Sequence, residues 1–112
     1  MPKPLSQTPR GMFIIALADW QRAWTDHADH DRRAASAGFA TATGQAHLAA
    51  MSDLSTSITA IEGRIAQTPA NNLAELHIKI TILSLDGLIR PEFQSSILED
   101  AMRMVAEAEA EA

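Results

Sequence analysis

Residues 51–83 read MSDLSTSITAIEGRIAQTPANNLAELHIKITIL. Met51, Leu54, Ile58, Ile61 and Ile65 are spaced three, four, three, four, so they share one narrow stripe of a helix. Ser52, Ser55, Ser57, Thr59, Glu62 and Arg64 fall largely off it. After Thr68-Pro69 the rhythm returns in Leu73, Leu76, Ile80 and Leu83, with Ile78, Ile82 and Leu85 widening the apolar surface. Two apolar stripes joined by a short proline turn predict a helical hairpin.

The turn carries two start signals for its second helix. Threonine caps a helix, and proline at the first helical position forgoes no needed N–H bond, so Thr68-Pro69 reads as one start. Asn72 with Glu75 three residues on reads as a capping box, a second one. This helix is expected to be the most buried and to end near Asp86-Gly87. Pro91 then forces the preceding residue out of helical geometry.

A last helix is predicted from Pro91 or Glu92. Phe93, Ile97, Ala101, Met104 and Ala108 make one face of it, with Leu98, Met102 and Val105 beside them. The terminal AEAEAEA alternates like a strand, yet alanine and glutamate are helix formers, so a helical tail is predicted. Upstream, Phe13, Leu17, Trp20, Trp24 and His27 follow a four, three, four, three spacing and predict a first helix over about 11–35. Asp26, Asp29 and Asp31 oppose the dipole at its end, so early termination is expected there despite Arg32 and Arg33. The low helix propensity of Gly38, Thr41, Thr43 and Gly44 predicts a bend or connection over 36–44, before a second helix over 45–67.

The fold class is therefore all-α, with three or four helices in an antiparallel hairpin or bundle. Residues 1–10, with Pro2, Pro4 and Pro9, read as a flexible N-terminal arm, and 11–112 as a single helical domain. Alanine is abundant, and Phe13, Trp20, Trp24, Phe39 and Phe93 are all the aromatics of the chain. Small side chains contribute little apolar area each, at roughly 25 cal/mol per Å². A core this thinly supplied is expected to be completed by self-association, as a homodimer of hairpins, a coiled coil or a larger bundle.

The net charge of −5 is concentrated in residues 51–112, with four Lys/Arg against ten Asp/Glu. No basic cluster exists beyond Arg32–Arg33, so nucleic acid and anionic membrane surfaces are not expected partners. A helix-turn-helix reading of Gly38–Gly44 would present Gln45 and His47 without local phosphate anchors, which disfavours a DNA-binding regulator. The absence of cysteine excludes disulfides, thiolate metal sites and thiol chemistry. Residues 12–18, MFIIALA, are too few to span a bilayer and lack a small-residue cleavage pattern after them.

Chemistry-bearing residues are sparse. His27, His30 and Asp31, with Asp26 nearby, share a helix face and form the one candidate ligand cluster for zinc or nickel. A polar helix end is the simpler reading, so no catalytic, cofactor-binding or metal residues, and no cofactor, are assigned. Glu75-Leu-His77 is one residue short of the Glu-x-x-His of di-iron bundles. Trp20 and Trp24 fit core packing or a self-interface. The stem of Lys79 is expected to lie along apolar surface while its ammonium reaches water or an acidic neighbour, with Glu75 one turn before it in the favourable order. No nucleophile elbow, Walker loop or dinucleotide fingerprint occurs.

Ile61, Arg64, Ile65, Thr68, Pro69, Ala70, Leu76 and Lys79 match a pattern, I..RI..TPA.T..GL..K, over about twenty residues. In this the chain resembles small uncharacterised helical proteins of alphaproteobacteria, some found in prophage-like surroundings. Asn72 stands where threonine is usual and Glu75 where glycine is usual, and both changes keep the cap. The resemblance implies a bacterial cytoplasmic setting and carries no site residues. The function expected is a non-enzymatic oligomerisation or protein-interaction module. A metal-binding protein or enzyme built on His27, His30 and Asp31 is the alternative.

Overall fold

The computed structural model describes residues 9–111; residues 1–8 of the proposed arm lie outside them, and its last two, Pro9 and Arg10, already belong to the first helix. Four α-helices dominate these residues: α1 (Pro9–Ala37), α2 (Ala42–Ala66), α3 (Leu73–Leu83) and α4 (Gln94–Glu111). Between α3 and α4 come two short strands, β1 (Ser84–Leu85) and β2 (Leu88–Ile89), and a 3₁₀ turn over Pro91–Phe93. The all-α class stands. No helix among the described residues is long and apolar enough to cross a membrane.

The helix ends follow local chemistry. Helix α1 covers the expected 11–35 and runs on through its acidic stretch to Ala37, with no early end there. Asp29 is bridged there to Arg32 at 3.2 Å and to Arg33 at 2.8 Å, one turn ahead, and alanines follow. The chain breaks at Gly38, whose φ is +90°. Thr41 then caps α2, its hydroxyl accepting from the Gly44 N–H at 3.0 Å and donating to the Gly38 carbonyl at 2.7 Å. The stretch is thus a connection and not continuous helix.

Helix α3 ends at Leu83, earlier than expected, because Leu85-Asp86-Gly87-Leu88 forms a hairpin. Asp86 and Gly87 have φ of 53° and 80°, and Ser84 pairs with Ile89, as a two-residue Asp-Gly turn of the primed type requires. Leu85 therefore leaves the helical face and is exposed. The last helix starts at Pro91 as a 3₁₀ turn and becomes α-helical at Gln94. It stays helical through the Ala-Glu repeat, as propensity predicts.

The described residues group into two compact units. One comprises the described residues through Leu17 and those from Glu62 onward; the other is Ala18–Ile61. In the first, Phe13, Ile65, Leu76, Ile82, Leu83 and Ile97 are buried, and α3 packs on α4. In the second, burial falls to Ala23, Ala34, Ile58 and Ile61, with Met51 and Leu54 half-buried. Trp20 is half-buried and Trp24 exposed, so these tryptophans do not form the expected core. Trp24 instead stands edge-on to His27, ring centroids 5.4 Å apart.

The second unit depends on one close backbone approach. A Cβ on Gly44 would lie 2.0 Å from the Gly38 carbonyl oxygen and 2.9 Å from its carbon. Both atoms are backbone of the connection that Thr41 holds, so neither yields cheaply. Gly63, inside α2, has nothing within 4 Å of its would-be Cβ. Two opposite outcomes are expected in denaturant melts. Gly44→Ala destabilises the protein by at least ~2 kcal/mol through the clash, whereas Gly63→Ala stabilises it by ~0.5–1 kcal/mol through helix propensity.

Candidate functional site: a buried charged knot around the 67–72 turn

The end of α2 leaves four carbonyls without helical partners; the turn that follows satisfies three of them and α4 the fourth. The Gln67 N–H donates to Gly63 and Arg64, and the Thr68 N–H to Ile65 at 3.1 Å. The Thr68 hydroxyl also donates to the Arg64 carbonyl at 2.8 Å. Ser96, from α4, donates its hydroxyl to the Ala66 carbonyl.

The turn itself is tied from both neighbouring helices. Lys79 on α3 donates to the Thr68 carbonyl at 2.9 Å and to Asp100 Oδ2 at 2.7 Å. That same Asp100 oxygen accepts the Ala70 N–H at 3.1 Å. Arg103, one turn further along α4, donates to Asp100 Oδ1 at 3.1 Å and to the Ala70 carbonyl at 2.6 Å. The Lys79 and Asp100 side chains are only 1% and 4% exposed.

The capping box closes the knot at the start of α3. Asn72 accepts the Glu75 N–H at 2.9 Å, while Glu75 accepts the Asn71 N–H at 3.0 Å and the Asn72 side-chain amide at 2.8 Å. Of the two start signals in the turn, Asn72 is thus the cap. The buried face of α3 accordingly runs through Glu75, Leu76, Lys79, Ile82 and Leu83. Leu73, expected on the apolar face, is 77% exposed. Lys79 neither reaches water nor pairs with Glu75, because Asp100 offers a desolvated counterion and Glu75 is spent on the cap. A second bridge anchors the segment after β2. Arg90 donates to Glu62 at 2.8 Å and to Glu92 at 2.7 Å, its guanidinium 5.0 Å from the Phe93 ring centre.

Burial pushes the Asp100 carboxyl up, but the hydrogen bonds from Lys79 and Ala70, the Lys79 charge and the Arg103 hydrogen bond outweigh it. The net effect holds Asp100 below the usual carboxylate range. A polar cleft lined by Pro69, Ser96, Glu99 and Arg103 reaches this pair. An ammonium held in an ion pair is no nucleophile, and a carboxylate with both oxygens engaged is a poor base. The arrangement serves as a clamp on the turn.

The histidine candidates take different partners. His27 stands against Trp24, Asp31 is exposed, and His30 pairs with His47 across α1 and α2 at 2.8 Å between Nδ1 atoms. One of those rings donates its N–H and the other accepts. Among the described residues no three His, Cys, Asp or Glu side chains are placed to hold a metal ion together. Glu75 and His77 lie on different faces, the first buried and the second exposed. Sequence reasoning missed the Lys79–Asp100–Arg103 set. Its signal was the register of α4, where Asp100 falls between Ile97 and Met104 on the core side and so demands a counterion.

Comparisons with protein-family models, with curated proteins and with solved structures found no match.

Removing one partner of the buried pair strands the other. Lys79→Met and Asp100→Asn are each expected to cost ~3–5 kcal/mol in denaturant unfolding, and the double variant less than the sum of the two. Because its folded pKa is lowered, Asp100 contributes stability that is complete above the unfolded carboxylate value of about 3.9. That contribution disappears as pH falls through the lower folded value. Acid titration of stability checks this, and Asp100→Asn should lack that component.

Proposed function

We propose that this protein is a non-enzymatic helical interaction module that works as a homo-oligomer. The observation that carries the reading is a stripe on α4. Leu98, Met102 and Val105, spaced four and three, are 59%, 62% and 57% exposed. They lie beside the face that packs inward through Ile97 and Asp100. A helix with one apolar stripe buried and a second in water has a seam to offer another helix. Burying such a seam releases roughly 25 cal/mol per Å² of apolar surface, which supplements the thin core of small residues.

The engagement of Lys79 and Asp100 in the clamp supports a non-enzymatic role, since the most deeply buried ionisable groups are held by structure. The resemblance of residues 61–79 to small alphaproteobacterial proteins supports a bacterial cytoplasmic setting. Light scattering across a wide concentration range tests the self-association. Wild type is expected above the 12.1 kDa monomer mass, and Met102→Asp at it. A wild type that stays monomeric throughout counts against the homo-oligomer.

A further inference from the structure

A groove runs between the first turn of α3 and the C-terminal half of α4. Leu73 and Leu76 form one wall, and Met104, Val105 and Ala108 the other. Leu73 and Val105 are 77% and 57% exposed, so the groove leaves large apolar surface in water. The charged residues lining it are Glu107 and Glu111, one turn apart on α4. Glu109 lies between them in sequence, and after Arg103 the chain carries no cation. Arg103 itself is engaged by Asp100 and the Ala70 carbonyl.

An apolar trough with an acidic rim selects its occupant by charge. A second α4 brought to this groove would add Glu107, Glu109 and Glu111 to an acidic rim, with no lysine or arginine between Arg103 and Glu111 to answer them. We propose that the groove binds a basic amphipathic helix of another protein. Apolar side chains at i, i+3, i+4 and i+7 of that helix would fill the trough between Leu73 and Val105. Its Lys or Arg side chains would meet Glu107 and Glu111. This rests on the reading of the chain as a helix-contact module and names one surface and one class of partner for it.

Fluorescence anisotropy with a labelled helical Leu/Lys peptide, leucines at that spacing, tests the inference on the full chain. A Leu/Glu peptide of the same pattern is the control. The Leu/Lys peptide is expected to bind and the Leu/Glu peptide to fail. Leu73→Asp, at a position already in water, should abolish binding while circular dichroism shows the fold intact. Glu107→Lys/Glu111→Lys should weaken the Leu/Lys peptide about tenfold and admit the Leu/Glu peptide. Absence of Leu/Lys binding, equal binding of both peptides, or binding indifferent to Leu73→Asp overturns the inference. A wild-type oligomer dissociated by Leu73→Asp also overturns it, since a second copy would then occupy the groove, and leaves the module reading intact. Leu/Lys binding to a monomeric wild type upholds the groove and removes the homo-oligomer instead.

Discussion

An ammonium and a carboxylate withdrawn from water must find each other or unfold the protein, and Lys79 and Asp100 have done the former. Their separation is 2.7 Å with almost no exposure. The attraction repays desolvation only because the remaining hydrogen-bonding capacity is also filled. Here Thr68, Ala70 and Arg103 fill it, and no described buried side-chain nitrogen or oxygen lacks a partner. The interaction joins α3 to α4 and holds the turn after α2 to both. Leu76, Ile82 and Ile97 are buried on the same two helices.

This arrangement suits a chain with few bulky apolar residues. Directional bonds fix which turn meets which helix, where a thin hydrophobic core would leave several packings close in energy. Lys79 donates to two acceptors and Asp100 accepts from three donors, so both are engaged in holding the turn. Apolar surface on α4 stays exposed at Leu98, Met102 and Val105.

The unit Ala18–Ile61 is organised by different means. Thr41 caps α2 against the Gly38 carbonyl, and Gly44 lets that backbone approach without a side chain in between. The His30–His47 contact adds one cross-helix hydrogen bond. The weak helix propensity of residues 38–44 was legible as a break, but the reason for Gly44 was not. A glycine chosen for close approach looks, in sequence, like a glycine chosen for flexibility.

Elements governed by neighbours in the chain were therefore open to reading from sequence. The four helices, the break near Gly38, the Asn72–Glu75 cap and the helical Ala-Glu tail all follow from periodicity and capping, which act within a turn or two. The Asp-Gly hairpin was also local, hidden by reading Leu85 as a continuation of the apolar face of α3. The Lys79–Asp100 pair, the desertion of Leu73 by the core, and the pairing of His30 with His47 were decided only in three dimensions. Partners for buried charge and surfaces left uncovered depend on which residues folding brings together across 20 or more positions. A helical period states which side chains share a face, and only tertiary packing states what that face meets.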